Sequence, residues 1–173
     1  MTIVNTERLV LTPTAASDIE DLITLWAHPE FTRHITGRPL CEDEVWLRCL
    51  RDIGHWQVLN HGNWVIRERS SGEFVGTVGV LNYRRTITPA MIDPELGWGL
   101  SPRFQKKGMA LEAVTAALDW ADRFLTAERT LCMITPENTA SSSLAKRLGY
   151  QAWATTRYKD SEVILYERPR QAP

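Results

Sequence analysis

Glu95-Leu96-Gly97-Trp98-Gly99-Leu100-Ser101-Pro102-Arg103-Phe104-Gln105-Lys106-Lys107-Gly108-Met109-Ala110 is the stretch on which the fold turns. At a period of two, Leu96, Trp98 and Leu100 share one face of an extended segment, and Glu95, Gly97 and Gly99 share the other. A strand is expected over 93–100, bracketed by Pro94 and Pro102. From Gly108 the period becomes helical. Ala110, Val114, Ala117, Leu118, Ala121 and Phe124 fall on one face of an amphipathic helix that runs to about Leu125. The first turn of such a helix carries unpaired N–H groups and the positive end of its dipole. Gln105 to Ala110 is therefore a candidate anion site. Gly108 allows positive φ and close backbone approach, the Ala110 side chain is too small to block a ligand, and Lys106 and Lys107 add positive potential at the rim. A tight turn with solvated lysines fits the loop equally well.

Two glycines weaken a strand unless something needs close backbone approach. A ligand lying on the Gly97/Gly99 face would supply that need. Glu95 would then stand at the edge of the slot as a general base, if burial raises its pKa; alone, it reads as a surface strand carboxylate. The loop matches neither GxxxxGK[ST] nor GxGxxG, which sets aside the two common nucleotide fingerprints.

Outward from this stretch, Thr6 to Thr12 reads as a strand stopped by Pro13. Ser17 and Glu20 form a capping box for a helix to about Trp26. Val45, Trp46, Cys49, Leu50, Ile53 and Trp56 recur at helical spacing over 43–59. Segments 63–69 and 73–81 read as a hairpin about Ser70-Ser71-Gly72. A short strand over 131–135, a helix over 138–148 ended by Gly149, and a hairpin of 150–156 with 162–167 complete the order. The arrangement predicts an α/β protein, a mixed sheet with helices on both faces. The 173 residues make one domain, with 169–173 as a tail.

Composition narrows the function classes. Hydrophobic residues at 43% and charged residues at 24% are ordinary globular values. The net charge of -1 argues against a general nucleic-acid binder. Cys41, Cys49 and Cys132 are odd in number and lack CxxC spacing, so neither a disulfide framework nor a zinc site is expected. His28, His34, His55 and His61 show no metal spacing, and no metal is expected. No apolar run approaches the ~20 residues of a membrane span, and Met1 to Val10 lacks a signal-peptide pattern. A cytoplasmic location, with no membrane partner, is expected. Tyr83-Arg84-Arg85 could meet an acidic substrate group, or form a solvated turn.

At this point the chain resembles a known family. Gln105-x-x-Gly108-x-Ala110 is similar to the Q/R-x-x-G-x-G/A signature of the GNAT superfamily of N-acetyltransferases. Thr6-Glu7-Arg8-Leu9, Pro94-Glu95-Leu96-Gly97-Trp98, Asn138-x-Ala140-Ser141 and Lys146-Arg147-Leu148-Gly149-Tyr150 occur in the order found in its ribosomal-protein N-terminal (Rim-type) branch. The resemblance spans about residues 6–168.

It implies a mostly antiparallel sheet splayed between two parallel strands, 95–100 and 131–135, with acetyl-CoA in the cleft. The cofactor-binding residues would be Gly97, Trp98, Gly99 and Leu100 on the strand, and Gln105, Lys106, Lys107, Gly108, Met109 and Ala110 on the pyrophosphate loop. Asn138 and Ser141 would complete them from the last helix, although both also read as helix capping. Direct transfer to a primary amine, a small molecule or a peptide N-terminus, would use Glu95 as base. His28, Arg33, His34, Trp46 and Trp56 would lie along the acceptor wall. Many family members carry a tyrosine acid where this chain has Ala145. Ser141, Ser142 or water substitutes, or no acid is needed. A homodimer is possible. A non-catalytic acyl-CoA-binding module, or a phosphate-ligand enzyme of another fold, would explain some of the same features.

Overall fold

The protein is described by a computed structural model covering residues 2–171. Eight strands form one sheet in the order β1-β2-β3-β4-β5-β6-β8-β7. They are β1 (Val4–Asn5), β2 (Leu9–Pro13), β3 (Asn63–Glu68), β4 (Phe74–Leu81), β5 (Glu95–Leu100), β6 (Arg129–Ile134), β7 (Gln151–Tyr158) and β8 (Ser161–Pro169). Every neighbouring pair is antiparallel except β5 and β6, which are parallel. The helices are α1 (Ile19–Trp26), α2 (Pro29–Thr32), α3 (Glu42–Leu59), α4 (Met109–Phe124) and α5 (Thr139–Arg147).

The alternation read in β5 sorts the two faces of the sheet. Leu96 and Leu100 join Trp64, Ile66, Val78 and Val80 in the main core, which α4 covers with Ala113, Val114, Ala117, Leu118, Trp120 and Ala121. Trp56, Trp64 and Trp120 meet edge to face inside it, with ring centroids 5.0–6.2 Å apart. Such contacts add about 0.5–1.5 kcal/mol each beyond burial. On the opposite face the Phe31 ring of α2 lies over Gly99.

Several sequence expectations shift. The chain does not run straight through Thr6. The Thr6 hydroxyl accepts the Leu9 N–H at 2.9 Å, which folds Thr6 to Arg8 into a turn between β1 and β2. Pro13 is the last residue of β2, opposite Trp64. Ser17 is exposed and does not cap α1. Asp18 instead accepts the Ala15 N–H at 2.9 Å and is anchored by Arg67, so a 3-10 turn over Ala16–Asp18 precedes the helix. Phe124 is 57% exposed because Trp120 takes the inward position at the end of α4. In α3, Trp46 and Leu50 face outward, at 42% and 45% exposure, while Val45, Cys49 and Trp56 are buried. Pro169 closes β8 and the Arg170 N–H donates to Glu128 O at 2.7 Å, so the expected tail does not begin at 169; 172 and 173 lie outside the described residues. No described helix is long and apolar enough to cross a membrane.

Candidate active site

β5 and β6 touch at one register pair, Glu95 opposite Leu131, reinforced by the Leu131 N–H to Pro94 O bond of 2.9 Å. Beyond it no further β5–β6 pair forms, although β4 pairs with β5 along its whole length. The two parallel strands therefore splay. One edge of β5, from Leu96 to Leu100, is left without a paired strand, and an open sheet edge of this kind can receive an extended ligand.

The loop that follows carries the chain from the end of β5 into α4. Pro102–Phe104 forms a 3-10 turn anchored by the buried Phe104. The Gln105 side chain donates to Leu100 O at 3.1 Å, tying the loop to the end of the strand. Lys106 (φ 59°) and Gly108 (φ 75°) both adopt the left-handed conformation, an uncommon one for lysine. Gly108 is the N-cap of α4 and makes no side-chain cap bond. A serine or aspartate there would have taken a first-turn N–H for itself. With glycine, those donors stay available to an anion.

The Thr6-Glu7-Arg8-Leu9 segment braces this loop from behind. Arg8 Nη1 donates to Lys107 O at 2.9 Å, and Arg8 Nε donates to Glu112 Oε2 at 2.7 Å. The Arg8 N–H and the Thr6 hydroxyl both donate to Glu112 Oε1, at 2.8 and 2.6 Å. Burial pushes the Glu112 carboxyl up, but the bonds from Thr6 and Arg8 outweigh it and hold the group below its ordinary value. A carboxylate lowered in this way stabilises the folded brace above its unfolded pKa. That contribution is lost as pH falls through the lowered value. The sequence reads Thr6 to Thr12 as a strand and Thr6 to Leu9 as part of a resemblance; the brace itself depends on contacts about 100 residues apart. Arg8→Ala is expected to raise the KM for acetyl-CoA about tenfold, the equivalent of one charge-assisted hydrogen bond, with kcat little changed. Initial-rate kinetics at varied acetyl-CoA check this.

Glu95 is buried, and both of its oxygens are taken by Arg85, at 2.6 and 2.8 Å. Burial opposes the Arg85 charge, yet the Glu95 bond outweighs it and holds the guanidinium above its usual value. The rings of Tyr83 and Tyr158 flank Arg85, with its guanidinium 5.2 and 5.0 Å from their centroids. Burial also pushes the Tyr83 phenol up. The reading of Tyr83-Arg84-Arg85 as a solvated turn is thus corrected. Only Arg84 is exposed, and Arg85 faces a carboxylate of the protein itself.

The two β5 glycines differ. A Cβ on Gly99 would come within 2.6 Å of the Phe31 ring, so a side chain of the protein makes that close approach. At Gly97 the nearest atom, Leu81 Cδ1, would be 3.3 Å away.

On α5, Asn138 Oδ1 accepts the Ser141 N–H at 3.2 Å, the cap expected of it. Ser142 Oγ lies 3.2 Å from the hydroxyl of Tyr166 on β8. Ala145 is fully buried. Tyr166 carried no local signal, since only the β6–β8 pairing brings it beneath α5. Ser141 and Ser142 are half-buried, and Lys106, Lys107 and Gly108 are exposed. Of the expected acceptor wall, Trp46 points outward and Trp56 belongs to the core. His28 caps α2 through the Glu30 N–H at 3.3 Å. His55 Nδ1 donates to His61 O at 2.6 Å while its Nε2 accepts the Asn82 N–H at 2.9 Å, which fixes a neutral tautomer. Among the described residues no group of three or more His, Cys, Asp or Glu gathers as metal ligands.

An open β5 edge leading into an uncapped helix N-terminus agrees with a family model that matches residues 8–151, the acetyltransferase (GNAT) domain. The chain belongs to the GNAT acetyltransferase family. The GNAT match covers the splayed strands, the loop and α5. The uncharacterized N-acetyltransferase p20 of Bacillus licheniformis is 27% identical over 149 residues, covering 84% of this chain and 80% of that protein. The [ribosomal protein uS5]-alanine N-acetyltransferase of Escherichia coli is 30% identical over 74 residues, covering 43% of this chain and 38% of that enzyme. A solved GNAT-family acetyltransferase from Bordetella pertussis, described as putative, superposes with a TM-score of 0.85 at 29% identity, covering 97% of this chain and 99% of that one.

Proposed function

We propose that this GNAT acetyltransferase takes acetyl-CoA as its acetyl donor and transfers the group directly to a primary amine, on a peptide N-terminus or a small molecule. The observation that carries the reading is the continuity of the unpaired β5 edge with the uncapped turn at Gly108. An extended pantetheine arm suits the edge, and a diphosphate suits the amides of Lys106 to Ala110. Several charge-assisted bonds of about 1.5–3 kcal/mol each give micromolar affinity after association costs.

The amine nitrogen must lose a proton as its bond to the thioester carbon forms. Glu95 is assigned that proton. Arg85 leaves each Glu95 oxygen a second lone pair, enough to accept from an ordered water or the amine. Main-chain N–H groups at Gly97 to Gly99 are assigned to the carbonyl oxygen, whose negative charge grows as the tetrahedral carbon forms. The C–S bond then breaks, and the departing thiolate takes a proton from solvent or from α5. When Tyr166 donates to Ser142 Oγ, the Ser142 proton is free for that transfer. Asn138 and Ser141 are assigned to the pantetheine arm.

The test is release of free thiol from acetyl-CoA across a panel of amines and short peptides. Turnover with at least one amine supports the reading. Tight acetyl-CoA binding with no turnover on any acceptor overturns it in favour of a binding module.

A further inference from the structure

β4 ends at Leu81, whose partner across the sheet is Glu95. The chain that leaves the sheet there is caught at once by α3: the Asn82 N–H donates to His55 Nε2 at 2.9 Å. Asn82 Oδ1 then accepts the Arg84 N–H at 3.3 Å, and Arg84 takes the left-handed conformation at φ 50°, uncommon for a residue with a side chain. Asn82 and Arg84 are exposed, while Tyr83 and Arg85 are half-buried.

Tyr83 is held largely by α3. The Arg51 guanidinium lies 4.3 Å from its ring centroid, and His55 meets it edge to face at 5.8 Å. Its hydroxyl reaches Asp52 Oδ1 at 3.4 Å and accepts from Asn63 Nδ2 at 3.3 Å; the same Asn63 amide donates to Asp52 Oδ2 at 2.9 Å. Burial, and then the Asp52 charge, push the phenol up, so it keeps its proton. Such a phenol offers the reaction no base; what it offers is the surface of its ring. The Arg85 guanidinium lies 5.2 Å from that ring and 5.0 Å from the ring of Tyr158, which β7 supplies. A planar fork stacked on two rings has few other orientations. Arg85 Nε and Nη2 meet the two Glu95 oxygens at 2.6 and 2.8 Å, a bidentate pair that fixes the direction of the carboxylate as well as its charge.

We infer that Tyr83 is a positioning residue for acetyl transfer: its ring, fixed from α3, holds the Arg85 fork, and the fork sets the direction in which Glu95 presents its remaining lone pairs. The inference rests on Glu95 being the base. It adds that the base is aimed from α3, a helix outside the sheet that carries Glu95. A misplacement of about 1 Å at a reacting group costs on the order of 10²-fold in rate, so a loosened fork is felt in kcat.

The experiment is a kinetic double-variant cycle with Glu95, run on an accepted amine. Tyr83→Leu removes the ring, and kcat is expected to fall about 10–30-fold, the factor of a desolvated cation–π contact, with the KM for acetyl-CoA unchanged. Tyr83→Phe keeps the ring and gives up only long hydrogen bonds, so it is expected to stay within about threefold of wild type. In the E95Q background Y83L is expected to add less than about twofold, because aim matters only while there is a base to aim. A ring that merely supports the fold would lower kcat by the same factor in both backgrounds, and that result overturns the proposal. So does a Y83F variant that loses as much as Y83L. Thermal midpoints confirm folding, and Y83M, closer to tyrosine in volume, repeats the cycle where Y83L does not fold. NMR of the arginine side-chain N–H groups reads the contact without turnover. The Arg85 Nε–H signal is expected in wild type and Y83F and is expected to be lost to solvent exchange in Y83L; a signal unmoved in Y83L overturns the hold on Arg85. Full activity in E95Q alone would sink Glu95 as the base, and with it a role for Tyr83 in transfer, whatever the NMR shows of the contact.

Discussion

Glu95→Gln is expected to lower kcat about 10²–10⁴-fold, the usual contribution of a positioned general base, and to leave the KM for acetyl-CoA little changed. The substitution keeps the shape of the side chain and one acceptor oxygen for Arg85, so the buried contact at 2.6–2.8 Å is weakened but not emptied. It removes the site that would take the amine proton. The pH profile separates this role from a structural one. With a base lost, activity should climb steadily with pH as the free amine fraction grows, and acceptors of lower amine pKa should lose least. A uniform loss at every pH, accompanied by a lower thermal midpoint, would instead assign Glu95 to holding Arg85. Arg85→Ala serves as the companion variant. It removes the guanidinium that holds both Glu95 oxygens, so kcat should fall with the KM for acetyl-CoA little changed, as for Glu95→Gln.

The second large effect concerns stability. Asp122→Ala is expected to cost about 3–5 kcal/mol, the cost of leaving one partner of a buried ion pair unmatched. Asp122 and Arg168 bond at 3.1 and 2.8 Å, with side-chain exposures of 9% and 6%. Arg168 Nη1 and Nη2 make these bonds and its buried Nε has no acceptor, so removing the carboxylate leaves the guanidinium unmatched. The pair joins α4 to β8, and Arg170 adds a 2.9 Å bond to Asp122 O. Urea denaturation should show a lower midpoint with little change in slope. The double variant D122L/R168M should recover most of the loss, because matched apolar groups replace a buried pair at small cost. Failure of the single variant to destabilise, or of the double variant to recover, would contradict this account.

Some of this was legible because the signals are local. The helical period from Met109 onward and the alternation in Glu95 to Leu100 placed α4 and β5 within two residues. Gly108 was marked for positive φ by its place at a strand-to-helix junction, and it has φ 75°. Asn138 read as a cap because the contact it makes is three residues away. Where local rules failed, a distant partner had intervened. Ser17 lost its cap role to Asp18, held by Arg67. Gly99 looked open for a ligand, and Phe31 fills the space. Glu95 looked like a lone carboxylate, and Arg85 covers both oxygens.

The sequence by itself determined the alternation, the helix start and the small residues that leave first-turn amides uncovered, because each depends on neighbours within a turn or a pleat. Only the tertiary structure decided which charges meet: Arg8 with Glu112, Arg85 with Glu95, and Arg168 with Asp122. The reason is physical. An ion pair is fixed by separation and burial in space, and positions 104 residues apart, as in the brace on the anion loop, leave no periodic trace in the chain.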